Sequence, residues 1–265
     1  MKIIDFHAHV YPEKVAKKAV RSVGEFYGID MEGEGTTKTL IEGGKKAGVT
    51  NWVVCSVAVD GGHVETINNF ISAECKENSA LFGLAAIHAE YENKLAELER
   101  AFGAGLRGVK IHPDTQKFNM DDDRMFEVYD FLQQTEKPIL IHCGDYRYDY
   151  SHPRRLKRIL ELFPKLTVVA AHFGGWSVYD LALEYLKDTN CYLDTSSSLS
   201  YIGTKRAREL IGLYGAERIV FGTDFPMWSA SEEMKKINKL DLKDDERELV
   251  LYKNAERILR AGENK

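Results

Sequence analysis

Short apolar runs rich in β-branched residues recur along the chain, each followed by a longer stretch with apolar positions three and four apart. The runs are KIIDF at 2–6, TNWVVCSVA at 50–58, ALFGLAAI at 80–87, GVKI at 108–111, KPILI at 137–141, LTVVAA at 166–171, CYLD at 191–194 and RIVFG at 218–222. Intervening segments such as NKLAELERAFGAG and MFEVYDFLQQTE read as amphipathic helices. Strand and helix alternate, which predicts a parallel sheet. Eight such units in 265 residues predict an α/β fold closed as a (β/α)8 TIM barrel, not an open doubly wound sheet. No linker or low-complexity tract interrupts the pattern, so residues 1–265 read as a single domain, ending in one or two helices from about Ser231 to Arg260. The polar, tyrosine-rich segment GDYRYDYSHP at 144–153 reads as a loop after the fifth strand.

In such a barrel the chemistry sits at the carboxyl ends of the strands. The first run ends in DFHAH, and His7 and His9, two residues apart, point to one side of an extended strand together with Ile3 and Asp5. The fourth run ends VKIHP, the fifth LIHCG, the sixth AAHFGG and the eighth FGTDFP. Parity pairs His142 with Leu140, His172 with Ala170 and Asp224 with Gly222. Four histidines and one aspartate therefore converge on one barrel mouth. Neutral imidazole and carboxylate suit a borderline divalent ion such as zinc, and a set of this size with an open position suits catalysis more than structure.

Composition narrows the partners. Hydrophobic residues at 44% and charged residues at 29% are enough for a sizeable core. A net charge of -5, with no dense Lys/Arg run, argues against nucleic acid. The opening MKIIDFHAHV carries histidines inside its apolar stretch, so it reads as neither signal peptide nor membrane span, and no membrane partner is expected. Cys55, Cys75, Cys143 and Cys191 lie far apart, which suits a reducing compartment. A cytoplasmic location is expected.

The motifs IDFHAH, GLRGVKIHPDTQKF, PILIHCG, FPKLTVVAAHFGG and IVFGTDFP span nearly the whole chain. In this order they resemble the amidohydrolase superfamily, within it the amidohydrolase-related group that includes aminocarboxymuconate semialdehyde decarboxylase and its relatives. The resemblance implies a barrel of the metal-dependent hydrolase type. In it His7, His9, His142 and Asp224 would bind one divalent metal, zinc first and manganese as the other candidate. His172 would stand beside the metal as acid, base or electrophile, with Asp224 as the second catalytic group. Two-metal members carry a carboxylated lysine or a glutamate on the fourth strand. A plain lysine in GVKIHP is also usual in the single-metal group, so one metal is favoured and a carbamate on Lys110 is the minority alternative.

The leading expectation is a hydrolase of a small organic substrate, an amide, a lactone or another ester, using a metal-activated water. The alternative is a decarboxylase or hydratase of a small unsaturated carboxylic acid on the same site. Candidate substrate contacts are Lys110, His112, Arg147 and Trp176, with Arg147 and its neighbouring tyrosines as a clamp for a carboxylate. Asp5 reads as an acceptor orienting a ligand imidazole, and Asp194 in YLDTSS as a hydrogen-bonding group of the barrel wall. His63, His88 and His152 read as surface or structural. The partner is a small molecule, and a homodimer is the default assembly.

Overall fold

Each apolar run holds one strand, except that the first strand continues past its run to His9: β1 (Ile4–His9), β2 (Asn51–Cys55), β3 (Leu81–Ala86), β4 (Gly108–Ile111), β5 (Ile139–Ile141), β6 (Val168–Ala170), β7 (Tyr192–Asp194) and β8 (Ile219–Val220). The strands pair in parallel in chain order. The ring closes through backbone bonds from Phe6 N–H to Phe221 O (2.8 Å), Asp224 N–H to His7 O (2.8 Å) and His9 N–H to Phe225 O (2.6 Å). The TIM barrel expected from the alternation is thus formed, in a computed structural model that describes residues 2–260.

Two helices, α1 (Glu13–Tyr27) and α2 (Thr37–Lys46), fill the first crossover. Then α3 (Val64–Glu77) follows β2 and α4 (Lys94–Gly103) follows β3, while α5 (Pro113–Gln116) and α6 (Phe126–Gln134) follow β4. Next α7 (Pro153–Leu162), α8 (Tyr179–Leu186) and α9 (Leu199–Tyr214) follow β5, β6 and β7. The chain ends with α10 (Ala230–Ile237), α11 (Asp244–Glu248) and α12 (Asn254–Arg260). Residues 144–152 hold neither helix nor strand, and α7 begins at Pro153, whose missing N–H costs nothing in a first turn. Among the described residues no helix is long and apolar enough to cross a membrane.

Two apolar layers position the site. The outer layer packs alternate strand residues such as Trp52, Val54, Val109 and Ile141 against the helices. The inner layer fills the barrel with Ile4, Phe6, Val53, Leu84, Leu140, Val169 and Val220, and joins Ala255, Ile258 and Leu259 of α12. Lys2 pairs with Glu256 at 2.6 Å, which sets α12 across the end where the strands begin. The carboxyl end is left for chemistry.

Simple parity does not hold along β1. Ile4 and Phe6 belong to the inner layer, but Ile3 and Ala8 belong to the outer one. Between Asp5 and Ala8 the register slips, so three steps on β1 span the two from Trp52 to Val54 on β2. A bulge of this kind switches the faces of the residues beyond it, which turns His7 and His9 inward while Ile3 faces outward. The pairing of His172 with Ala170 fails as well. Ala170 packs outward, Val169 and Ala171 pack inward, and His172 reaches the mouth through a left-handed turn with φ of 59° at His172, 49° at Phe173 and 76° at Gly174. Non-glycine residues rarely adopt such angles, so the surrounding structure must hold them there. Gly222 answers a different need: a Cβ there would sit 3.0 Å from the Cβ of His7.

Candidate metal centre

Three side chains from the two ends of the chain meet at the open mouth. His7 Nε2 lies 3.1 Å from His9 Nε2, and each lies 3.4 Å from Asp224 Oδ1. The tautomer of His7 is fixed, because its Nδ1–H donates to Asp194 Oδ2 at 2.8 Å and leaves Nε2 with a bare lone pair. Three donor atoms thus face one point. A tetrahedral ion with bonds of about 2.0–2.1 Å has ligand atoms roughly 3.3–3.4 Å apart, so the trio fits a divalent ion in spacing and donor type. Burial and the neighbouring Lys110 push His7 down to about 4, which keeps the ring neutral as a ligand must be.

Asp194 does more than line the wall. Its Oδ2 holds His7, and its Oδ1 accepts from the backbone N–H of His172 (2.8 Å), the backbone N–H of Ser196 (3.0 Å) and Ser196 Oγ (2.6 Å). Burial alone would raise its pKa, but His7, His172 and Ser196 hold the carboxyl below the usual range. Asp5 accepts from Thr223 N–H (2.9 Å), Thr223 Oγ1 (2.6 Å) and His7 N–H (3.2 Å), tying β1 to the strand that delivers Asp224. Burial raises its pKa to about 7. Ser197 Oγ donates to Asp224 Oδ2 at 2.6 Å and itself accepts from Trp228 Nε1 at 2.9 Å. Ser196 and Ser197 lie beyond the end of β7 and no strand-end pattern marks them; the run TSSS after Asp194 is their trace in the sequence.

His142 is not brought into this trio. Its Nε2 lies 3.1 Å from Gly144 O and 3.3 Å from Asp114 Oδ2, and its ring stacks on His112 with centroids 3.8 Å apart. Its Nδ1 faces His172 Nε2 at 3.0 Å. His172 donates from Nδ1 to Ser196 O (3.0 Å), so Nε2 accepts and the shared proton belongs to His142. Burial pushes His172 down to about 3. Lys110, 1% exposed, places Nζ 3.0 Å from His7 Nε2, and among the described residues no carboxylate lies within 4.0 Å of it.

The proposed substrate contacts divide. Lys110 and His112 line a cleft of about 700 Å³ above the trio. Arg147 does not: its guanidinium makes paired bonds to the buried Asp145 and one to Phe26 O, and it lies 4.8–5.8 Å from the rings of Phe26, Tyr27, Tyr148 and Trp176. The carboxylate it clamps is the protein's own. Trp176 stands edge-on to Tyr27 at 5.2 Å, behind the cleft wall. Arg147 therefore latches the end of α1 onto the loop after β5. Arg147→Ala is expected to cost about 2–3 kcal/mol, because it strands a buried carboxylate. Denaturant unfolding measures the loss, and Arg147→Lys, lacking the planar fork, is expected to recover little of it. Equal stability of the alanine variant and the parent would refute the latch.

Comparison with known proteins bears on the family and the fold. A family model described as amidohydrolase matches residues 4–261. Decarboxylase orsB of Emericella nidulans is 25% identical, over 38% of this chain and 37% of its own length, so this chain spans little more than a third of that relative. A TIM-barrel protein from Bordetella bronchiseptica superposes with a TM-score of 0.80 at 22% identity, covering 100% of both chains. A dihydroxybenzoic acid decarboxylase from Polaromonas sp. JS666, solved with manganese and the inhibitor 2-nitroresorcinol, gives a TM-score of 0.74 at 15% identity, over 98% of this chain and 97% of that one. At these identities the structural likenesses establish the barrel.

Proposed function

The chain belongs to the amidohydrolase family, and we propose that it is a metal-dependent decarboxylase of a small, planar, unsaturated or aromatic carboxylic acid. The cleft carries this reading. Its floor holds the trio, Lys110 and His172, and its walls are Val23, Phe26, Tyr27, Ile67 and Phe70. Decarboxylation starts from an anion and releases an apolar gas, so apolar walls that strip water from the carboxylate favour it. Hydrolysis, the leading expectation from the sequence, needs water admitted and a polar leaving group received, which these walls serve poorly. The decarboxylases among the similar proteins support the same choice.

His7, His9 and Asp224 would hold the ion, which when bound supplies positive charge to polarise and orient the acid. The rest falls to side chains. When the C–C bond to the carboxylate breaks, its electron pair stays on the ring or chain carbon, carbon dioxide leaves, and that carbon takes a proton. His172 is a neutral imidazole that keeps its own proton on Nδ1 against Ser196 O, and the proton between the two rings is carried on His142 Nδ1, so the carbon would take that proton from His142, which keeps the Nε2 proton that faces Gly144 O. The two imidazoles hold that proton at the cleft floor. Lys110 places an ammonium where the substrate carboxylate would enter.

The test is a screen of the manganese- or zinc-loaded protein on hydroxybenzoates and conjugated acids, beside lactones, esters and amides. Carbon dioxide release from the acids, without turnover of the others, is the expected result. Hydrolysis of a lactone, ester or amide with no carbon dioxide from any acid would restore the hydrolase reading.

A further inference from the structure

We propose that Tyr27 is a substrate-binding residue of this cleft, donating its phenol proton to a second oxygen of the bound acid and so selecting acids that carry a hydroxyl or oxo group besides the carboxylate. This rests on the reading of the cleft as a site for a planar acid. Tyr27 is the last residue of α1, so it enters from the side of the cleft, and no strand end points to it. Its hydroxyl lies 2.6 Å from His112 Nε2.

The direction of that bond follows from the other nitrogen of His112. His112 is the N-cap of α5, and its Nδ1 accepts the backbone N–H of Thr115 at 3.5 Å. A neutral imidazole with an accepting Nδ1 carries its proton on Nε2. An Nδ1 that accepts a backbone N–H carries no proton, so the ring is not the imidazolium. The Nε2–H therefore donates to the phenol oxygen, and the phenol proton has no acceptor among the described residues.

The ring that carries this donor is fixed. It packs edge-on against Trp176 at 5.2 Å and Phe26 at 4.8 Å, with the Arg147 guanidinium 5.5 Å over its face. A pre-aimed donor on the wall of an apolar cleft favours a ligand oxygen in its path and penalises a ligand without one. The carboxylate has its own place at the floor, where Lys110 lacks an anionic partner within 4.0 Å among the described residues. That leaves the acid's second oxygen for Tyr27.

Calorimetric titration of the manganese-loaded protein with 2-hydroxybenzoate and with benzoate tests this. Tyr27→Phe keeps the ring and its packing and removes only the hydroxyl. The parent is expected to bind 2-hydroxybenzoate about tenfold more tightly than benzoate, and the variant to lose most of that preference while binding benzoate as the parent does. Equal affinities in the parent, an unchanged preference in the variant, or equal losses for both acids would each overturn the proposal. Carbon dioxide release is followed separately. Binding with the expected preference but no decarboxylation would sink the proposed reaction and leave Tyr27 its role, whereas decarboxylation without the preference would do the reverse. A parent that binds neither acid overturns both.

Discussion

Replacing His7 and His9 together by alanine is expected to strip the protein of its metal and reduce turnover to background. Elemental analysis of the parent should find about one equivalent of zinc or manganese, and of the variant almost none. The two imidazoles supply two of the three donor atoms that meet within 3.4 Å, so Asp224 alone cannot hold an ion. A bound ion contributes several kcal/mol to a charge-developing transition state, which corresponds to roughly a thousandfold or more in rate. The fold should persist, because neither histidine belongs to the apolar layers that build the barrel. Two equivalents in the parent would bring Lys110 into the ligand set and return weight to hydrolysis. No metal after reconstitution would end the mechanism.

Asp194→Asn is expected to weaken metal binding about 10–100-fold while leaving the barrel folded. The amide oxygen can still accept the bonds from His172 N–H and Ser196 that Oδ1 now receives. The amide nitrogen, however, replaces the acceptor that holds His7 Nδ1–H at 2.8 Å. A donor facing Nδ1 forces the imidazole proton onto Nε2, the atom that must be bare to meet an ion. Competition against a chelator of known affinity measures the change, with a thermal unfolding curve to establish that the variant is folded. If affinity stayed at the parent's value, Asp194 would be a wall residue only, as its position in YLDTSS suggests when the sequence is read alone.

The elements and the chemistry of the mouth were legible in the sequence to different depths. Eight apolar runs separated by amphipathic segments each contain or overlap one of the eight strands, because burial of both faces leaves a parallel strand no polar alternation to blur its signal. His7, His9 and Asp224 were legible because chemistry in this architecture collects after strands, and their side chains meet as expected. Arg147 misled because composition does not say which carboxylate a guanidinium finds; Asp145, two residues before it, is the nearest. Tyr27 was invisible for the opposite reason, since it comes from the end of a helix, and nothing in local spacing links it to His112, 85 residues away.

By itself, then, the sequence determined the period of alternation, the barrel and the residue types delivered to its mouth, since hydrophobic periodicity and strand-end placement are local properties of the chain. Only the tertiary structure decided which way those residues face. The bulge between Asp5 and Ala8 turns His7 and His9 inward, and the left-handed turn at His172 carries its imidazole across the rim. Neighbouring strands impose both distortions through register and close packing, as Gly222 against His7 illustrates. The position of His142 beside His172 and outside the trio comes from the same source: Gly144 O, Asp114 and the face of His112 enclose its ring, and these contacts are made across the fold.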